Sequence, residues 1–107
     1  MKIELDEILN FYERPLVFTA TDSKHHNYIC YINDVKEDGT TKYFGKRVSQ
    51  KILNKYLKGD IDLRSIFKSK IINLYMITED NSKYYTAVPY IKFIKEELLP
   101  GEGFFNK

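Results

Sequence analysis

Apolar residues along most of the chain fall in short runs of alternating period, separated by polar turns. One stretch departs from this. From Val48 to Phe67, VSQKILNKYLKGDIDLRSIF, the period becomes helical. Ser49 is placed as an N-cap, its hydroxyl free to take an amide of the first turn. Val48 and Leu53 flank it as a hydrophobic staple. Ile52, Leu53, Tyr56 and Leu57 make the buried stripe. Gly59 stops the helix, since a left-handed backbone costs glycine little. Asp62 can cap one further turn, Leu63 to Phe67.

Around that helix the alternation predicts strands. Leu16 to Ala20, Asn27 to Asn33 and Thr41 to Lys46 form an antiparallel meander, with turns at TDSKHH and at Asp38-Gly39. The run NYICYIN is apolar on both faces and therefore central. Ile71 to Thr78 and Lys83 to Val88 add two more strands, joined by Asp80-Asn81-Ser82 and closed by Pro89. At the ends, Leu5, Ile8, Leu9 and Tyr12 recur at helical spacing and predict a short helix, ended before Pro15. Ile91, Ile94 and Leu98 predict another over Tyr90 to Leu99, broken at Pro100-Gly101. The expected fold is α+β. About five antiparallel strands form a twisted sheet, with curling toward a small barrel as its limiting form. The sheet packs on one main helix, with short helical segments at both termini, in a single domain over 1–107.

Composition changes this picture little. The chain is 43% apolar and 30% charged, an ordinary globular balance. A net charge of +2 is too mild to imply nucleic acid or a membrane surface by itself. One cysteine, Cys30, excludes an internal disulfide and a multi-thiolate zinc site, and fits a reducing compartment. No run reaches transmembrane length, and the acidic amphipathic start is not a signal peptide, so a cytoplasmic protein is expected. The aromatic content is more distinctive: nine tyrosines, seven phenylalanines and no tryptophan.

The runs RPLVFTATD, YICYIND, RVSQKILNKYLKGDIDLRSIF and LPGEGFF resemble a family of small domains of unknown function in bacteria and their phages. Its members run Gly-Pro-apolar-Leu-Phe-Ser, then a strand ending in aspartate, then Val-Ser-x3-Leu, Gly-x-Ile-x-Leu-Arg and Leu-Pro-x2-Gly. The matching residues are Pro15 and Phe18, Asp34, Val48-Ser49 with Leu53, then Gly59, Ile61, Leu63 and Arg64, and finally Leu99, Pro100 and Gly103. Arg14 stands where the family has glycine. The resemblance implies no established activity. It implies a small stand-alone domain, often carried on mobile elements.

Candidate chemistry is sparse. His25-His26 are adjacent on a turn, point apart and lack a third ligand, so an exposed turn outweighs metal or acid–base work. Cys30 lies mid-strand and is expected in the core. Arg64 follows Asp60 and Asp62. It either ties its turn to a strand end such as Asp34, or offers a forked donor to a phosphate or carboxylate. Lys42, Lys46, Arg47, Lys51, Lys55 and Lys58 gather around the helix start and its outer face, the last three on one side of it. They are a solvated face or an anion-binding stripe, with Tyr43 available for stacking. Tyr31, Tyr43 and Tyr85 are among tyrosines that alternate along strands. On an open sheet face they would meet a partner; otherwise they pair across strands.

No nucleophile–base pair, metal set, phosphate loop or cofactor signature is visible, so no enzyme, metal or cofactor is expected. The first functional expectation is a non-enzymatic domain that docks on another protein, as a phage or mobile-element inhibitor or immunity protein does. The alternative is a binder of a nucleotide signal, with Arg47, Arg64 and Lys46 on phosphates and tyrosines on the base. Weak nucleic-acid binding through Lys51, Lys55 and Lys58 ranks third. No membrane role is expected, and oligomeric state stays open.

Overall fold

The computed structural model describes residues 1–68, 73–92 and 94–100. It is mostly β: a closed six-stranded antiparallel barrel with two short helices. The strands are β1 (Lys2–Tyr12), β2 (Arg14–Thr21), β3 (Asn27–Val35), β4 (Thr41–Val48), β5 (Leu74–Glu79) and β6 (Tyr84–Pro89). Helices α1 (Gln50–Leu57) and α2 (Leu63–Lys68) fall between β4 and β5. Each strand pairs with the next in sequence, and β1 closes the barrel against β6 from Lys2↔Thr86 to Glu4↔Tyr84.

Directly opposite residues share a face of a sheet, so the register defines the interior. Phe18, Cys30, Gly45 and Tyr75 lie in one row across β2 to β5. Tyr43, Ile77 and Ala87 form the next. Each row mixes large side chains with small ones, Cys30 and Gly45 between Phe18 and Tyr75, and Ala87 beside Ile77, as a narrow barrel demands. Phe18 stacks on Tyr85 with centroids 4.7 Å apart and meets Tyr43 edge-on at 5.0 Å. A second core lies outside the barrel wall. Val17, Ile29, Tyr31, Phe44 and Leu74 are covered there by Leu53 and Tyr56 of α1 and by Leu63, Ile66 and Phe67 of α2.

The helical stretch forms as its caps require. Ser49 Oγ accepts the Ile52 amide at 3.2 Å, and Gly59 takes φ +82° just past the last turn. Asp62 Oδ1 accepts the Ser65 amide at 3.0 Å and starts α2. Val48, Ile52 and Leu53 all join the outer core.

Three expectations change. The N-terminal segment is a strand, not a helix. Three register shifts, between Leu5 and Glu7, Ile8 and Asn10, and Asn10 and Phe11, break the alternation of β1 and leave apolar residues at helix-like spacing. With that strand the sheet has six members and closes, instead of five packed on one main helix. Among the described residues of the expected C-terminal helix there is one 3-10 turn, Glu96–Leu98. There the chain is held by Tyr90, Ile94 and Leu99 packing on the outer core. The start expected for the fourth strand, at residues 71 and 72, lies outside the described residues, as do Gly103 and the Phe104-Phe105 pair. No described helix is long and apolar enough to cross a membrane.

Candidate functional site

The cations singled out by sequence do not converge on a described anion site. Lys46 is 6% exposed on the outer face of β4, between Ile29 and Leu74 in the ladder. Arg47 Nη2 donates to Asn73 Oδ1 at 2.9 Å, and its amide donates to the Asn73 carbonyl, which latches β4 to the start of β5. Arg64 Nη1 donates to the Pro100 carbonyl at 3.0 Å, tying α2 to the C-terminal segment. Asp34, considered as a partner for Arg64, is an exposed residue opposite Lys42. Lys51, Lys55 and Lys58 are exposed on and just past α1.

The tyrosines for which an open face and cross-strand pairing are the two expectations are buried: Tyr43 and Tyr85 by closure of the barrel, where they meet edge-on, and Tyr31 under α2 on the outer wall. Tyr43 and Tyr85 are fully buried in the interior. The Tyr43 hydroxyl donates to the Pro15 carbonyl at 2.9 Å, and burial pushes it up to about 12. The Tyr85 hydroxyl is buried with no partner among the described residues, and burial raises it further. Tyr31 is 6% exposed, sits edge-on to Phe67 at 4.6 Å, and donates to the Leu98 carbonyl at 2.9 Å. None of the three offers a ring face to a base. Cys30 is also interior, and burial raises its thiol well above the usual range.

A polar node that sequence reasoning passed over sits in the β2–β3 turn. Asp22 Oδ1 accepts the amides of Lys24 and His26 at 2.9 and 3.0 Å. Its Oδ2 accepts the Tyr28 hydroxyl at 2.8 Å and faces His26 Nδ1 at 2.9 Å. Burial works to raise the carboxyl, but these bonds outweigh it and hold the group well below the usual carboxylate range. The node borders a depression of about 460 Å³, lined by Lys2, Glu4, Thr21, Asp22, Ser23 and His25 among others. Its geometry is that of a turn clamp: one carboxylate satisfies two backbone amides and a barrel tyrosine, while His25 accepts φ +66° beside it.

The outer half of the β1–β2 hairpin has an edge without a ladder partner among the described residues. Among the described residues the β1–β6 ladder ends at Glu4, with one further bond from the Leu5 amide to the Lys83 carbonyl. On its other side β1 pairs with β2 out to Tyr12↔Arg14, across a tip where Glu13 takes φ +63°. Residues 6–12 are therefore paired along one edge. This half of the strand carries Ile8, Phe11 and Tyr12, which are 42, 60 and 72% exposed. Along the opposite edge of the hairpin, the β2–β3 register begins at Val17↔Tyr31. Where those strands part lies an apolar cleft of about 280 Å³, lined by Leu16, Val17, Tyr31, Ile32, Leu63 and Pro100 among others. Sequence reasoning missed this hairpin because its first strand carries helix-like spacing. The signal available was Phe11-Tyr12 next to Pro15, an aromatic pair that a single buried helical stripe could not absorb.

No family model, no curated protein and no solved structure matches the chain.

Proposed function

We propose that this protein is a non-enzymatic interaction domain that docks on another protein through the β1–β2 hairpin. The observation that carries the reading is the exposure of Phe11 and Tyr12, 60 and 72%, on a strand segment bonded along one edge. Aromatic side chains are expensive to leave in water at roughly 25 cal/mol per Å² of apolar surface, and they are enriched where proteins meet. The adjoining apolar cleft extends the same surface. An inhibitor or immunity role, directed at a host or toxin protein, is the form this docking takes in our reading, consistent with a small single domain.

The test pairs the immobilised wild type with a Phe11→Ser/Tyr12→Ser variant, both presented to host lysate and to purified defence or toxin proteins. Size exclusion and thermal melting accompany the capture. The expected result is a protein retained by the wild type and lost from the variant, with the melting temperature of the variant unchanged. Equal retention by both would move the interface elsewhere, and no retained protein would remove the reading.

A further inference from the structure

We propose that the outer edge of β1, residues 6–12, receives an extended basic segment of the partner as an added strand. The inference rests on the docking reading above and specifies its chemistry. Successive residues of a strand direct their backbone N–H and C=O groups to opposite sides, so about half of those groups between Asp6 and Tyr12 face away from β2. No described residue bonds to them beyond the Lys83 carbonyl at Leu5. The segment is seven residues long, roughly 20 Å at the usual strand rise, which suits a peptide strand of similar length.

Charge decides what kind of strand fits. Asp6, Glu7 and Glu13 are exposed on this hairpin, and none has an ion-pair partner among the described residues; Glu4, at the end of the β6 ladder, is 3.8 Å from Lys83. The β1 side of the hairpin is thus acidic on a protein of net charge +2; the neighbouring cation, Arg14, is half-buried and donates to Thr41 Oγ1 at 3.0 Å. An incoming strand with lysine or arginine at alternate positions would bring cations to these carboxylates on one face, while its other side chains met apolar residues on the opposite face, which carries one of Phe11 and Tyr12. A second copy of the chain suits the edge poorly. It would bring a second Asp6, Glu7 and Glu13 within the screening length of about 8 Å. The three register shifts of β1 meet any incoming strand alike. Charge is what discriminates: it keeps identical strands apart and favours a basic one.

The probe is a peptide of about nine residues alternating lysine and valine, long enough to span the edge. Two controls accompany it: the same peptide with glutamate for lysine, and one N-methylated on alternate backbone nitrogens. Binding is followed by fluorescence anisotropy and by backbone amide shifts of the whole protein. The basic peptide is expected to bind with shifts centred on Asp6 to Tyr12, and to weaken as salt rises. Methylation, which removes several backbone donors at once, and the Asp6→Lys/Glu7→Lys variant, which reverses two charges, should each weaken it about tenfold or more. Three outcomes overturn strand addition: no binding, shifts away from β1, or equal affinity of the methylated peptide. Concentration-dependent self-association with shifts on β1 would give the edge to a second copy and also overturn it. If the peptides fail while capture through Phe11 and Tyr12 persists, docking stands and strand addition falls; if that capture fails, both fall.

Discussion

Gly45 and Ile77 are diagonal neighbours on adjacent strands, so close that a Cβ on the glycine would stand 2.8 Å from Ile77 Cγ1. Cys30 Sγ would lie 3.2 Å from the same position on the other side. The barrel is closed around a point where only a hydrogen fits. Replacing glycine by alanine ordinarily gains about 0.4–1 kcal/mol by restricting the unfolded chain. Here the clash is with the Cγ1 methylene and Cδ1 methyl of Ile77 in a packed interior, and overpacking costs typically about 1–3 kcal/mol. The clash wins. Gly45→Ala should lower the urea midpoint at constant slope, and adding Ile77→Val should recover part of the loss. An unchanged midpoint for the single variant would mean that the interior is looser than this packing implies.

Two buried tyrosines predict opposite outcomes for one chemical change. Tyr43→Phe removes a bond to the Pro15 carbonyl and leaves that acceptor short of a partner. About 1 kcal/mol of stability should be lost. Tyr85→Phe removes a hydroxyl that is buried without a partner among the described residues. Its desolvation is uncompensated, so the variant should be as stable as the wild type or more so, by up to about 1 kcal/mol. Denaturant titrations of the pair, run together, make the comparison. A large loss on Tyr85→Phe would reveal a bonding partner for that hydroxyl.

Asp22 makes stability fall in acid. Its folded carboxyl is held below the unfolded value of about 3.9, so the native state binds fewer protons there than the unfolded chain. The stabilisation is full above that pH and drains as pH falls below it toward the folded value. Asp22→Asn removes the charge-assisted bonds from Tyr28 and His26 and should cost about 1–3 kcal/mol at neutral pH. The wild type should then lose stability more steeply than the variant below about pH 4. Parallel acid-unfolding curves would show that the clamp contributes nothing through its charge.

The parts of this fold legible in the sequence are those whose cause is local. Ser49, Gly59 and Asp62 act within one helical turn of themselves, so residue type and position suffice to place α1 and α2. Strand β1 was not legible, because its bulges erase the period on which strands are recognised. Without β1 the barrel stays open and a free sheet face is available to Tyr43 and Tyr85. With β1 in position those two are enclosed, Tyr31 is covered on the outer wall by Phe67, and the exposed aromatics are Phe11 and Tyr12. The Asp22 clamp has all its members within seven residues, yet a polar turn looks the same in sequence whether or not its carboxylate is bonded four times.

The same enclosure bears on nucleotide binding. A base needs an accessible ring face, worth about 1–3 kcal/mol per stacked base. Tyr43 and Tyr85 line the barrel interior, and Tyr31 is covered by Phe67. The guanidinium groups of Arg47 and Arg64 are each bonded within the chain, to Asn73 and to the Pro100 carbonyl. A ligand held at a hundred times its Kd would stabilise the fold by about 2.7 kcal/mol. For a domain of this size that is a rise of roughly 10 °C or more in melting temperature, far outside the scatter of a thermal-shift screen. Linear and cyclic nucleotides should therefore leave the melting temperature unmoved. A saturable rise with any of them would place its base on a surface other than Tyr31, Tyr43 or Tyr85, and substituting Arg47 or Arg64 by methionine would then show whether either takes the phosphate.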